Sequence, residues 1–174
     1  MESQSTIAHI DEACAFGARE NVTFSLWHGI PTVARVKAQR ALFDRLLRTH
    51  DKLYSLTLFR LEAFSFKAMA DSLVRPEFDA IARMLDGKLA AHTLVVEGDG
   101  FAAATVRSAA TSVGFVFRSR VVSKSFNELG PAVQWLLSTR ENKPTAIELR
   151  EYEKFTQSMQ LLLTALSSDR VRTG

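Results

Sequence analysis

The stretch LAAHTLVVEGDGFAAATVRSAATSV, residues 89–113, decides which fold this sequence predicts. Residues 89–96 are uncharged and mostly apolar, which is typical of a strand that is buried on both faces. The glycines of Glu97-Gly98-Asp99-Gly100 supply the backbone angles of a tight turn, and alanines and valines at helical spacing follow them. A buried strand, a turn and a helix form half of a βαβ unit. The stretch therefore predicts an α/β fold with this strand inside a parallel sheet.

The chain before this stretch predicts an antiparallel edge of the sheet, followed by two strand–helix units. Residues 5–10 and 13–18 are short extended pieces, and residues 22–26 alternate apolar with polar side chains as strands do. Pro31 opens a helix over residues 32–52, and LYSLTLFRL, residues 53–61, is the next strand. A second helix begins at Arg75-Pro76 and ends at Gly87. Residues 62–74 fit neither the alternation of a strand nor the periodicity of a helix.

The chain after residue 113 predicts one more strand and two helices. Residues 120–123 are the strand, and SFNE, residues 125–128, has the spacing of a capping box that would begin a helix. Gly130-Pro131 conflicts with an unbroken helix there, because proline lacks a backbone donor. A second capping box, TAIE at residues 145–148, begins a C-terminal helix of roughly 22 residues.

The C-terminal helix carries an apolar seam whose members recur at alternating spacings of three and four. The seam consists of Tyr152, Phe155, Met159, Leu162 and Leu166. It spans about two heptads, fewer than the three or four that identify a coiled coil. The helix therefore packs either on its own domain or on another chain, for example as a homodimer. We divide the sequence into an α/β domain over residues 1–140, and a linker with the C-terminal helix over residues 141–174.

Composition indicates one globular domain without a nucleic-acid partner or a membrane span. The 174 residues are 47% hydrophobic and 24% charged, with a net charge of +3. The single cysteine, Cys14, excludes an intrachain disulfide and fits a reducing compartment. No apolar run approaches the roughly 20 residues of a membrane span, and residues 1–4 lack the features of a signal peptide. A cytoplasmic location is expected.

No set of side chains has the spacing of a catalytic, cofactor or metal site. The four histidines, at positions 9, 28, 50 and 92, are far apart in the sequence. His92 lies in the central strand and is predicted to be a hydrogen-bonded core residue, whereas His28 lies at a strand end where sites can form. Cys14 has no base nearby in sequence, and no nucleophile elbow is present. No catalytic, cofactor or metal residue is predicted, although an enzyme assembled from distant segments stays an alternative.

The stretch GDGFAA, residues 98–103, fits the pattern G-x-G-x-x-A of a dinucleotide fingerprint, since it follows a predicted strand and precedes a predicted helix. Glu97 and Asp99, however, place negative charges where a pyrophosphate would bind. The acid expected about 20 residues later is also missing. A structural turn is the favoured interpretation, with a nucleotide-binding enzyme as an alternative.

The order of elements, together with SFNE at 125–128 and the following Trp135-Leu136, resembles the STAS-like domains related to bacterial anti-sigma-factor antagonists. The resemblance spans residues 13–139. It implies a single mixed, mainly parallel sheet with helices on both faces, and a non-catalytic regulatory module of bacterial type that binds another protein. Antagonists of that family carry an Asp-Ser pair whose serine is phosphorylated. The matching residues here are EAFSF, 62–66, so only Ser65 is carried over, and the preceding aspartate is missing.

Four phenylalanines outside the assigned elements support a further alternative. They are Phe64, Phe66, Phe115 and Phe117. Apolar side chains of this kind could line a pocket for a small apolar ligand or a lipid, or could simply close the core.

Overall fold

One mixed sheet of six strands organises the chain, in a computed structural model that describes residues 5–61, 67, 71–97, 100, 103–106 and 121–173, with side chains to residue 168 in the last helix. The strands follow one another in sequence order across the sheet. They are β1 (Ser5–Ile10), β2 (Cys14–Arg19), β3 (Val22–Trp27), β4 (Leu53–Arg60), β5 (Leu89–Glu97) and β6 (Val122–Phe126). β1, β2 and β3 pair antiparallel, whereas β3 to β6 pair parallel. The predicted α/β fold with a mixed, mainly parallel sheet is confirmed.

Four helices with full bounds surround the sheet: α1 (Val33–Leu47), α2 (Arg75–Leu85), α3 (Leu129–Ser138) and α4 (Ala146–Thr173). α1 begins after Thr32, whose hydroxyl accepts the Arg35 N–H at 3.4 Å. It ends at Leu47, earlier than the predicted residue 52, and its end is tightened by the amides of Arg48 and Thr49, which donate to the carbonyls three residues earlier. Within the described residues, no helix is both long and apolar enough to cross a membrane.

β5 occupies the position that the sequence predicts for residues 89–96. It lies between β4 and β6 and pairs parallel with both. Ala91, Thr93 and Val95 are buried on one side of the strand, and Leu89 and Val96 are buried on the other, where His92 is part-buried. The helix predicted after this strand is described over residues 103–106.

The region around residue 125 differs from the prediction. β6 continues to Phe126, since Ser125 pairs with Leu94 of β5, so the predicted capping box at 125–128 is wrong. α3 begins instead at Leu129, with Glu128 as an N-cap that makes no side-chain hydrogen bond. Pro131 then falls in the first turn, where backbone N–H groups have no helical acceptor, and it does not break the helix.

The sheet carries an apolar core on each face. α1 and α2 cover one face and α3 and α4 cover the other. The core on the first face contains Phe16, Trp27 and Phe59 of the sheet, together with Ile81 and Leu85 of α2. Those under α3 and α4 include Phe24, Leu26, Leu56, Leu58 and Val95.

α4 begins at the predicted capping box. Glu148 Oε2 accepts the Thr145 N–H at 2.7 Å, and the Glu148 N–H is donated to Thr145 Oγ1 at 3.2 Å. The buried stripe of the helix is Tyr152, Thr156, Met159 and Leu163. This stripe packs on β2 and β3, and it approaches most closely at Gly17, where a Cβ atom would lie 2.9 Å from both Met159 Sδ and Phe155 Cζ.

Candidate functional site

Several of the predicted site residues lie outside the residues that the structure describes. They are Ser65, Phe64, Phe66, Phe115 and Phe117, together with Gly98 and Asp99 of the predicted turn. Gly100 has a φ of +88°, a conformation that favours glycine.

The apolar seam predicted on α4 divides where the helix passes the sheet. Tyr152 and Met159 are buried in the domain, and Phe155 packs against the same core. Leu162 and Leu166 are instead 48% and 41% exposed, and the adjacent Leu161 is 72% exposed. Of these three leucines, Leu162 and Leu166 are neighbours on the helix surface because they are four residues apart, and Leu161 directly precedes Leu162 in sequence. We call them the leucine patch.

The carboxyl ends of β3, β4 and β5 bring together the second feature, which we call the strand-end cluster. It consists of His28, directly after β3, and of Arg60 and Glu97, the last residues of β4 and β5. Arg60 and Glu97 are register partners. Ligands in open α/β sheets commonly bind at this edge, because the loops that follow parallel strands meet there.

The backbone around His28 is held by the β1–β2 turn. The amides of His28 and Gly29 both donate to the Ala13 carbonyl, at 2.8 and 2.9 Å. A Cβ on Gly29 would lie 2.6 Å from the Ala13 Cβ, so only glycine permits this approach. The backbone position of His28 is therefore fixed by contacts with Ala13 that do not involve the imidazole ring.

The His28 imidazole is buried without a hydrogen-bond partner. Both ring nitrogens are inaccessible to solvent, and neither has a partner in the described chain. Burial, together with the positive charge of Arg60, lowers the pKa of His28 to about 4. At neutral pH the ring is uncharged and offers one N–H donor and one nitrogen acceptor. A base with so low a pKa is a poor proton acceptor near pH 7, so the ring is better suited to binding than to catalysis.

α4 covers this edge of the sheet with polar side chains. Gln160 Nε2 donates to Glu97 Oε1 at 2.9 Å, and Arg60 Nη2 donates to Thr164 Oγ1 at 3.4 Å. Arg60 and Glu97 do not form an ion pair with each other, although their strands are adjacent. The helix thus orients both charged side chains without neutralising either.

Polar groups inside the sheet make hydrogen bonds within the core. His92 Nε2 lies 3.2 Å from Thr57 Oγ1, which confirms the prediction of a hydrogen-bonded histidine in this strand. Burial lowers the pKa of His92 to about 4. On the same face, Gln39 Nε2 of α1 donates to Ser25 Oγ at 2.8 Å. These contacts stabilise the fold and leave the strand-end cluster as the candidate site.

A cluster of metal-ligating residue types occurs at the β1–β2 turn. Ligand atoms of His9, Asp11 and Cys14 lie within 4.8 Å of one another. The Asp11 carboxylate, however, already accepts hydrogen bonds from Arg35 Nε at 2.8 Å and from the amides of Ala13 and Cys14. Although burial opposes it, these bonds lower the Asp11 pKa to about 2, whereas burial raises the pKa of the Cys14 thiol. The arrangement ties the turn to α1 through Arg35 and leaves no carboxylate lone pair directed at an ion.

A second polar cluster fastens α4 to the β2–β3 turn. Glu20 Oε2 accepts from Arg140 Nη2 at 2.9 Å and from the Tyr152 hydroxyl at 2.8 Å. Arg140 Nη1 also donates to the Tyr152 oxygen at 3.1 Å. Residues 140–144 read as a polar linker in the sequence, yet Arg140 is the residue that joins the linker to the sheet.

Comparisons with protein-family models, curated proteins and solved structures found no match to this chain. The functional interpretation therefore depends on the residues themselves. Sequence patterns singled out His28 and part of the leucine patch but not Arg60 or Glu97. The signal that could have found them is a charged residue ending each of two successive strands, at the edge where parallel strands bind ligands.

Proposed function

We propose that this chain is a non-catalytic STAS-like protein-interaction module of a bacterial regulatory type, and that it forms a homodimer through the leucine patch of α4. The observation that carries the proposal is the exposure of Leu161, Leu162 and Leu166 on a helix whose stripe of Tyr152, Met159 and Leu163 completes the core.

Two features support the STAS-like part of the proposal. The sheet has the expected order, with an antiparallel edge followed by parallel strands that alternate with helices. In addition, Ser65 comes soon after β4, a central strand of the sheet, in the sequence.

The leucine patch suits a symmetric partner. Cyclic dimers are the commonest soluble oligomers, and they pair one surface with its own copy. Complete burial of a leucine stabilises a complex by roughly 1.5–3 kcal/mol. A stable interface buries about 800 Å² on each partner, more than three side chains provide, so we expect a dimer in the micromolar range.

Light scattering coupled to size-exclusion chromatography tests the dimer on the full chain. Removing residues after 140 would uncover the core beneath Tyr152 and Met159, so substitutions are the better probe. The triple variant Leu161→Gln, Leu162→Gln, Leu166→Gln should be monomeric at concentrations where the parent chain is a dimer. Ile147→Gln is the matched control, because Ile147 is 74% exposed on the same helix but lies outside the patch. A monomeric parent chain at about 500 µM, or a triple variant that still dimerises, would contradict the proposal.

Regulation by modification at Ser65 is the finer part of the proposal. Phosphorylation adds about two negative charges near neutral pH. We expect Ser65→Glu to change the dimer dissociation constant at least threefold relative to the neutral variant Ser65→Gln. Equal constants for the two variants would remove Ser65 from the proposal.

A further inference from the structure

The His28 ring is the strongest indication of an unassigned ligand. Both of its nitrogens are buried and unpartnered in the described chain, while the amides of His28 and Gly29 both donate to the Ala13 carbonyl. Leaving a buried donor or acceptor unpaired costs about 1–3 kcal/mol, and most buried polar groups in native proteins have a hydrogen-bond partner from the protein or from bound solvent. A group that hydrogen-bonds to the ring would remove this cost.

Arg60 defines the charge of that molecule. Across the described ranges, no carboxylate lies within ion-pair distance of its guanidinium, and its Nη2 donates to the neutral Thr164 hydroxyl. A guanidinium has five N–H donors in a planar fork that fits carboxylates and phosphates. His28 and Arg60 directly follow Trp27 and Phe59, which are register partners on the adjacent strands β3 and β4, so the two residues are neighbours at this edge of the sheet.

From this geometry we infer that the strand-end cluster binds a small oxyanion, a phosphate or a carboxylate, through Arg60 and His28. The Arg60 fork holds two of the anion's oxygens, and the N–H of the neutral His28 ring donates to an oxygen. The inference does not depend on the dimer or on the STAS-like resemblance, since it uses neither the leucine patch nor Ser65.

Glu97 restricts which oxyanions fit. Its Oε1 accepts from Gln160, which leaves the other oxygen as an acceptor beside Arg60 on the neighbouring strand. A fully ionised anion would be repelled there, whereas an anion that carries its own O–H can donate it to Glu97. Hydrogen phosphate and hydroxycarboxylates have this combination, and acetate lacks it.

Histidine-selective ¹⁵N NMR of the full chain at pH 7 tests the site. The probes are inorganic phosphate, glycolate and acetate, titrated separately at constant ionic strength. We expect saturable shifts of the His28 ring nitrogens, with a dissociation constant on the order of 1 mM for phosphate. The resonances of His92, which is hydrogen-bonded to Thr57, should not move and serve as an internal reference. The His28→Gln variant assigns the signal.

Arginine variants decide whether the anion is held as inferred. Arg60→Gln should weaken phosphate binding at least tenfold, and Arg60→Lys severalfold, because lysine keeps the charge but lacks the fork. Arg83→Gln, an exposed arginine in the last turn of α2, is the control and should leave binding unchanged. If Arg60→Gln does not fold, Arg60→Lys carries the test.

Two results would overturn the inference. One is the absence of saturable His28 shifts with all three probes up to about 20 mM. The other is an unchanged affinity in both Arg60 variants, which would place the anion elsewhere. Binding of phosphate or glycolate without acetate supports the site and the role of Glu97, whereas equal binding of acetate supports a carboxylate held by Arg60 and His28 alone.

Discussion

Tyr152 connects parts of the chain that are 132 residues apart. Its ring is 1% exposed in the core between the sheet and α4, and its hydroxyl donates to Glu20 while accepting from Arg140. Burial, followed by the hydrogen bond to Glu20, raises the pKa of the phenol, so the hydroxyl keeps its proton. The apolar ring contributes to packing and the hydroxyl fixes the register of the helix on the β2–β3 turn.

Tyr152→Phe should lower the free energy of unfolding by about 1–2 kcal/mol. The variant keeps the ring but leaves Glu20 and Arg140 without the hydroxyl that both contact. Tyr54→Phe is the matched control, because Tyr54 is also buried in this core but no hydrogen bond of its hydroxyl is observed among the described residues. Urea unfolding followed by circular dichroism measures both. Equal losses in the two variants would show that the Glu20 contact does not stabilise the fold.

At the scale of residues, the sequence predicts the side-chain contacts that depend on the local sequence pattern alone. The hydrogen-bonded state of His92 follows from a polar ring in an apolar strand, because a buried polar group needs a partner. The roles of Arg60, Glu20 and Arg140 could not be predicted, since each depends on a neighbour brought close by strand pairing or by the path of α4.

At the scale of elements, the contact between α4 and β2 depends on a missing side chain. Gly17 lies where Met159 and Phe155 reach the sheet, and a Cβ there would also lie 3.0 Å from the Thr6 carbonyl oxygen. Neither the helix nor strand β1 can retreat without opening the core on that face.

Gly17→Ala should therefore destabilise the fold by roughly 1–3 kcal/mol, the usual cost of overpacking. Gly130→Ala is the matched control, because a Cβ at this position in the first turn of α3 meets nothing within 4 Å. Alanine favours helix more than glycine does, so the control should be neutral or more stable by up to about 1 kcal/mol. Thermal unfolding compares the two. If Gly17→Ala is as stable as the parent chain, α4 does not pack as described.

The boundaries of helices and strands show where strand pairing outweighs a capping signal in the local sequence. The capping box at 145–148 forms as predicted because the chain before it is free to turn. The similar pattern at 125–128 does not form, because Ser125 and Phe126 gain ladder hydrogen bonds to β5. Backbone pairing along an existing strand outweighs the one or two bonds of a cap.

At the scale of the whole molecule, the buried histidines and Asp11 make folding stability depend on pH in two steps. His28 and His92 have folded-state pKa values of about 4 against an ordinary 6.5, so the unfolded chain binds more protons between these limits. Asp11 has a pKa of about 2 against an ordinary 3.8, so the unfolded chain again binds more protons between pH 4 and pH 2. Stability should fall as the pH drops through each window.

Urea unfolding between pH 7 and pH 2.5 checks this behaviour. In His92→Gln the loss of stability between pH 6.5 and pH 4 should be smaller than in the parent chain, because one of the two histidines is gone. In Asp11→Asn the loss below pH 4 should shrink instead, while the upper window is retained. Parallel curves for all three chains would contradict the assignment of these groups.

The architecture follows from sequence to the extent that it depends on periodicity and length. The buried run at 89–96 predicts a central parallel strand, and the alternation at 22–26 with the short breaks before it predicts the antiparallel edge. The sequence could not predict which part of the α4 seam is buried in the domain and which part is exposed, because one heptad pattern continues through both parts of the helix. Only the extent of the sheet beneath it determines that Met159 is buried and Leu166 is exposed.

The sequence order of the six strands has a consequence for synthesis of the chain. Each strand leaving the ribosome finds its neighbour already made, so the sheet can grow by one strand at a time from its N-terminal edge. On one face, however, β2 and β3 are covered by α4, which is translated after all six strands. The nascent chain therefore carries an uncovered apolar face on its first strands until α4 has emerged.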